Sequence, residues 1–174
     1  MTESVTTVVI GIGNEFRRDD GVGHAVIALL RERAAAGALP PGTVVRECDG
    51  DPGRLIELWR GAHLTVVVDA CFPSPAHPGR VHRWQPAPAS SMWRTGASGR
   101  HSTHALGLAE TVDLARVLGR GPGRLIVYAV EGADRSLGTG LTRSVAEAVR
   151  PLAKMVERDV VRQAEACRDG PRAV

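Results

Sequence analysis

The sequence has few aromatic residues, few cysteines and a single lysine, and each scarcity argues against a class of function. Aromatic residues make up 3% of the 174 residues, so the stacking platforms of single-stranded nucleic-acid binding are missing and we expect no nucleic-acid partner. The three cysteines have no CxxC spacing, which argues against a disulfide framework or a thiolate zinc site. Lys154 is the only lysine, and the many arginines are scattered among acidic residues rather than gathered in a basic patch.

Long apolar runs are also missing. No segment approaches the roughly 20 apolar residues of a membrane span, so we expect no membrane association. The N-terminal segment has no basic region ahead of its first apolar run and no cleavage-site pattern, which favours a first strand over a signal peptide. The cytoplasm is therefore the expected location. The length fits one domain over residues 1–174, with a tail after about residue 163 that we expect to fray.

Apolar β-branched runs alternate with amphipathic helical patterns along the chain. The alternation predicts an α/β fold, a single three-layer domain with a mostly parallel twisted sheet of about five strands and helices on both faces. The predicted strands are 6–12, 43–48, 64–69, 80–84 and 124–130. Helices are expected from about residue 21, from 52 to about 60, from 102 or 103 to about 118, and from residue 142 or 144 onward.

A proline-rich stretch over residues 73–101 interrupts this alternation. About 15 of its residues show no periodic pattern, and a loop of that length in a compact domain is usually functional or mobile. It lies in sequence between the two best candidate site residues, Asp69 and His104. We therefore expect a lid or a docking rim for a partner.

Three polar residues follow separate elements of the predicted sheet. Asp20 comes just after the first strand, Asp69 closes the third, and His104 lies at the expected start of the helix after the long loop. In open α/β sheets, sites form beyond the carboxyl ends of the strands, so these side chains should meet at one edge. Two carboxylates and one imidazole suit nickel, zinc, manganese or iron and leave coordination positions open for metal-assisted hydrolysis.

Other residues compete for these roles. Asp19 is the neighbour of Asp20, which could itself merely favour a helix N-terminus electrostatically, and His101 lies three residues before His104. Glu131 also ends a predicted strand on the same edge, where it could take part directly or pair with an arginine. The remaining histidines are expected at the surface or in packing roles: His24, His63, His77 and His82.

The glycine-rich segment GIGNEF matches the dinucleotide-binding fingerprint only in part. Phe16 stands where the GxGxxG pattern needs its third glycine, and no acidic residue closes the second strand at the required point. No serine has the context of a nucleophile elbow. We therefore expect no resident organic cofactor.

Five segments together resemble one enzyme family. GIGNEFRRDDGVG at 11–23, VVVDAC at 66–71 and STHALGL at 102–108 resemble three spaced motifs of the hydrogenase maturation endopeptidases, in the same order. DGDPG at 49–53 is similar to a loop of that family linked to substrate recognition, and GLTRSV at 140–145 to the entry of its last helix. The resemblance extends from about residue 8 to residue 160.

The resemblance implies a specific reaction. Members of this family remove a C-terminal extension from the large-subunit precursor of nickel–iron hydrogenases, and use nickel already inserted in the precursor for recognition. Transferred to this sequence, the metal ligands and catalytic residues are Asp20, Asp69 and His104, and the substrate-recognition residues are Asp49 and Gly50. Two other functions remain open, a precursor-binding maturation factor that does not cleave and another metal-dependent hydrolase on the same scaffold.

Overall fold

The computed structural model describes residues 6–85 and 107–168, which contain a five-stranded sheet. Its strand order is β2-β1-β3-β5-β4; β1, β2, β3 and β5 run parallel, and β4 is antiparallel to β5. The predicted α/β class and mostly parallel sheet of about five strands are confirmed. The strands are β1 (Thr7–Ile12), β2 (Thr43–Cys48), β3 (Leu64–Cys71), β4 (Val81–Trp84) and β5 (Arg124–Glu131).

Helices cover both faces of the sheet and make the expected three layers. On one face, Val9 and Val66 of the sheet share a core with residues of α1 and α4. On the other face, Ile10 and Val67 pack in a second core with residues of α2 and α3. The helices are α1 (Val22–Ala35), α2 (Pro52–Leu58), α3 (Leu108–Val117) and α4 (Arg143–Arg168), and a 3₁₀ turn (Arg18–Gly21) precedes α1. Within the described ranges, none of them is long and apolar enough to cross a bilayer.

Three boundaries differ from the prediction. The third strand does not end at Asp69, because Ala70 and Cys71 pair with Val130 and Glu131 of β5 and extend β3 by two residues. The helix expected from residue 102 or 103, positions outside the described residues, begins only at Leu108, since its N-cap is in an extended conformation. The fraying expected after about residue 163 is not observed either, because α4 continues to Arg168.

Local signals explain where the short helix α2 begins. The side chain of Asp51 accepts a hydrogen bond from Arg54 N at 2.7 Å, and Pro52 takes the first helical position, where its missing N–H costs nothing. The predicted start of a helix at residue 52 is confirmed. Asp51 and Pro52 start α2 directly after the loop at the carboxyl end of β2.

Helix α1 approaches the sheet unusually closely at Gly23. A Cβ atom added there would lie 2.3 Å from the carbonyl oxygen of Ile12 and 2.7 Å from that of Val68. Because only glycine leaves room for this contact, the first turn of α1 rests directly on β1 and β3. The preceding 3₁₀ turn, which carries Asp20, is thereby held against the end of the sheet.

We predict that Gly23→Ala lowers the free energy of unfolding by about 2 kcal/mol or more, because backbone must move to admit the methyl group. The matched control is Gly53→Ala in α2, where the nearest atom to an added Cβ is Asp51 Oδ1 at 3.4 Å. That variant should be neutral, or more stable by up to about 1 kcal/mol, through helix propensity. Urea unfolding of both variants measures the difference, and equal effects would contradict the close-packing account.

Candidate functional site

The carboxyl ends of the parallel strands bring Asp20 and Asp69 to the same edge of the sheet. Asp20 lies in the 3₁₀ turn that follows β1 and contacts β3, and Asp69 lies near the end of β3. Both are buried, with exposed fractions of 2% and 6%. The 3₁₀ turn contacts β3, and the charge of Asp20 raises the pKa of Asp69. The predicted convergence of these two residues is therefore observed.

The environment of Asp69 disfavours its ionised form. Burial is the largest cause and raises its pKa to about 8, and the charge of Asp20 adds to this effect. A hydrogen bond from Ala70 N to Asp69 Oδ1, 2.8 Å long, opposes the shift. Two buried carboxyl groups whose charges repel are a suitable site for a cation, which would stabilise the ionised form of both.

Asp19, the rival of Asp20, has a different environment. Its Oδ2 atom accepts hydrogen bonds from Ala133 N, Asp134 N and the hydroxyl of Thr142 at 2.8–3.0 Å. Its Oδ1 atom accepts from Thr142 N at 2.7 Å. The carboxylate is fully buried and joins the 3₁₀ turn to the loop between β5 and α4. These four bonds occupy Asp19 in holding loops together, which favours Asp20 as the metal-binding residue.

The third predicted ligand, His104, and its rival His101 lie outside the described residues. Over 6–85 and 107–168, no group of three histidine, cysteine or acidic side chains is arranged to hold a metal ion. The described part of the chain therefore supplies two carboxylates of the predicted set. A third ligand from residue 104 stays a prediction.

The predicted substrate-recognition residues Asp49 and Gly50 follow β2 at the same edge. Gly13 N donates a 3.0 Å hydrogen bond to the carbonyl oxygen of Cys48, which ties the end of β2 to the loop after β1. The side chain of Asp49 is exposed, and a hydrogen bond from Asp51 N lowers its pKa. It is thus an ionised acceptor at the same edge of the sheet as the buried pair, while its part in recognition stays a prediction.

Glu131 is engaged by residues of β4 and the preceding loop. Its Oε2 atom accepts a 2.5 Å hydrogen bond from His77 N, its Oε1 atom lies 2.6 Å from His82 Nε2, and Arg80 Nε is 4.0 Å away. Burial raises the pKa of Glu131, but these hydrogen bonds and charges outweigh it and lower the pKa. Glu131 therefore pairs with an arginine, one of its two expected roles, and also with two histidines.

The histidine contacts of Glu131 were missed by the sequence reasoning, which placed His77 and His82 at the surface or in packing roles. The signal that could have found His82 is the antiparallel pairing of β4 with β5, in which His82 lies opposite Ala129. That register puts its side chain on the same face of the sheet as Glu131, two residues along β5. The sequence shows β4 as a short strand but not its partner.

Cys71 does not supply a nucleophile. It is half-buried at the end of β3, and burial, followed by the charges of Glu131 and Asp69, raises the pKa of its thiol to about 12. The nucleophilic thiolate is therefore scarce at neutral pH. The chemistry available at this edge is that of carboxylates.

Comparisons with solved structures show where this fold occurs. The chain is 20% identical to the hydrogenase maturating endopeptidase HybD from E. coli, covering 91% of this chain and 93% of that one with a TM-score of 0.71. It is 19% identical to the [NiFe] hydrogenase maturation protease HybD from Thermococcus kodakarensis, covering 89% and 99% with a TM-score of 0.68. At these identities, the likeness shows a shared fold. No match was found among curated protein sequences.

A family model identifies the chain more directly. The model of HycI, described as hydrogenase maturation protease, matches residues 49–159, which is more than half of the chain. The matched range includes Asp49, Asp69 and position 104, while Asp20 precedes it. The chain therefore belongs to the hydrogenase maturation protease family of peptide-cleaving hydrolases.

Proposed function

We propose that Asp20, Asp69 and His104 of this protease bind nickel carried by its substrate. The family's reaction is C-terminal processing of the large subunit of a hydrogenase. In our proposal the substrate is the nickel–iron hydrogenase precursor after nickel insertion, and the scissile bond precedes its C-terminal extension. The observation that carries the proposal is the buried pair of Asp20 and Asp69, in which the pKa of Asp69 is raised to about 8.

The chemistry divides between substrate and enzyme. Nickel, as part of the precursor, would polarise the scissile carbonyl or lower the pKa of a bound water. Asp20 and Asp69 supply oxygen donors that compensate its charge, and burial of both limits competition by bulk water. Because the pKa of Asp69 is raised to about 8 before any metal binds, its carboxyl group would release a proton as nickel arrives.

Recognition of the precursor is assigned to the loop after β2. The carboxylate of Asp49 is exposed and ionised at the same edge of the sheet as the buried pair, so it can accept hydrogen bonds from an incoming peptide. Gly50, next to it, leaves the backbone open to close approach. We propose that these two residues contact the precursor while Asp20 and Asp69 reach its nickel.

Two alternatives make different predictions. A maturation factor that binds the precursor without cutting it would leave the precursor's mass unchanged. Another metal-dependent hydrolase would retain zinc or manganese through purification, whereas an enzyme that reads its substrate's nickel has no need to. Mass measurement of the large subunit and metal analysis of the purified protein separate the three functions.

We predict that Asp20→Asn, Asp69→Asn and His104→Ala each slow cleavage of the nickel-loaded precursor by at least about 100-fold, because each removes a ligand or a proton acceptor. The two asparagine variants should remain folded, since the substituted amides keep the shape of the carboxylates. Cleavage is followed by the mass of the large subunit. Activity like that of wild type in the Asp69→Asn variant would contradict the site.

Asp19→Ala should behave in the opposite way. The substitution removes a fully buried carboxylate and leaves the partly buried N–H groups of residues 133, 134 and 142 without their acceptor, so we expect a loss of about 2 kcal/mol or more in the free energy of unfolding. Urea unfolding measures this loss. A variant that remains fully stable but inactive would instead assign the metal to Asp19.

The pH dependence of stability should also identify Asp69. Its pKa is about 8 in the folded chain, against 3.8 for an ordinary aspartate. Between these values the folded state keeps a proton that the unfolded state loses, so the contribution of Asp69 to stability is present at low pH. It is lost as the pH rises through 8, by up to about 1.4 kcal/mol per pH unit.

Asp69→Asn removes this titration. We therefore predict that the stability of the variant relative to wild type rises between pH 5 and pH 8 and then levels off. Urea unfolding of both proteins at pH 5, 6.5 and 8 tests the prediction. Stability profiles that run parallel over this range would show that Asp69 ionises normally.

A further inference from the structure

Two large apolar side chains are exposed next to the candidate site. Phe16 is 61% exposed and Leu137 is 77% exposed, and both lie in loops at the carboxyl edge of the sheet. The other large exposed apolar residues of the described chain are on or just after α3: Leu114, Val117 and Leu118. Phe16 and Leu137 are distant in sequence, so their adjacency is a product of the fold.

A short parallel bridge sets the two residues side by side. Arg17 pairs with Gly138, Gly138 N donates to Phe16 O at 2.9 Å, and Arg18 N donates to Gly138 O at 3.0 Å. Bridged backbones lie about 5 Å apart, and Phe16 and Leu137 are the residues that directly precede the bridge in the two loops. Phe16 and Leu137 therefore form one ridge, which we call the Phe16–Leu137 ridge.

The ridge is rigidly supported. Arg18 adopts a left-handed backbone conformation with a φ of 48°, which is unusual for a residue other than glycine, and its NH1 atom donates to Thr139 O at 3.0 Å. The carboxylate of Asp19 then binds the loop between β5 and α4 through four hydrogen bonds. Because both loops are fixed, Phe16 and Leu137 are held in a preorganised position where a partner can meet them without an ordering cost.

Arginines flank the ridge. No carboxylate lies within ion-pair distance of Arg17, Arg18 or Arg135 in the part of the chain that the structure describes. Arg135 instead stacks over the ring of Phe72, 5.6 Å from its centroid. A hydrogen bond from Ser136 N and the charge of Arg18 lower the pKa of Asp134, so Arg18 is already engaged. Arg17 is exposed and presents its positive charge beside the apolar surface.

The size and place of the ridge indicate its occupant. It exposes on the order of 250 Å² of apolar side chain, well below the roughly 800 Å² per partner of a stable dimer. Phe16 lies four residues before buried Asp20 on the same loop, so a protein that delivers a metal to Asp20 also comes near Phe16. An anchor contact for the substrate fits both observations better than self-association does.

We propose that the Phe16–Leu137 ridge is a docking site for the hydrogenase precursor. An apolar side chain of the precursor packs on the ridge, and a carboxylate of the precursor pairs with Arg17. The inference rests on the proposed function and adds a binding surface outside the metal-reading residues. The ridge anchors the precursor, while Asp20 and Asp69 act on its metal site. Loss of the ridge should therefore weaken binding without changing the chemical step.

The test measures binding and cleavage of the nickel-loaded precursor separately. Phe16→Ala and Leu137→Ala should each raise KM and the Kd for the precursor about tenfold, with kcat changed less than threefold and melting temperature unchanged. The matched control is Val117→Ala, because Val117 is 85% exposed on α3. Arg17→Glu should weaken binding in the same way, and Arg158→Glu in α4 should not.

The outcomes distinguish this inference from the proposed function. If wild type cleaves the precursor and the Phe16→Ala, Leu137→Ala double variant has the same KM and Kd as wild type, the docking role of the ridge is overturned. The proposed function is then unaffected. Binding without cleavage by wild type would overturn the protease assignment, and the Kd values would still decide the role of the ridge. A wild-type dimer that the double variant converts to monomer would show that the ridge joins two copies of this chain, and would also overturn the inference.

Discussion

The carboxylate of Asp19 holds together the loops on which the candidate site is built. It lies between β1 and α1 in sequence, yet its four hydrogen bonds go to the loop between β5 and α4. Burying an ionised group is costly unless it is fully bonded, so this geometry is favourable only when both loops are in place. The position of Asp20 and the exposed ridge of Phe16 and Leu137 both depend on this contact.

Two buried aspartates at this edge of the sheet, Asp19 and Asp69, thus have opposite physical roles. Asp19 is satisfied by backbone N–H groups and a hydroxyl, so its charge is compensated within the protein. Asp69 is buried and accepts a hydrogen bond from Ala70 N, and its pKa is raised by burial and by the charge of Asp20. A carboxyl pair held in this way stores unfavourable electrostatic energy that a bound cation releases. Such strain is common at functional sites.

Sequence reasoning was most reliable where local patterns determine structure. The β-branched runs of β1, β3 and β5 and the N-cap at Asp51 follow from side-chain chemistry within a few residues, and all are observed. It was less reliable where partners are distant. The extension of β3 to Cys71 depends on pairing with β5, and the contacts of Glu131 depend on the register of β4.

In the candidate site, too, some features could be predicted from the sequence and others depend on distant partners. Parallel strands end at one edge, so the meeting of Asp20 and Asp69 could be predicted from strand order alone. The choice between Asp19 and Asp20 could not, because it turns on a loop more than 110 residues away that binds the first of them. The ridge could not be predicted either, since the bridge between Arg17 and Gly138 joins two loops that are distant in sequence.

The central claim is that the buried carboxylates respond to nickel in the substrate. The most direct test is the mass of the large-subunit precursor after incubation with wild-type protein, using precursor prepared with and without nickel. The account predicts that only the nickel-loaded precursor loses its C-terminal extension. Equal cleavage of the nickel-free precursor would contradict it.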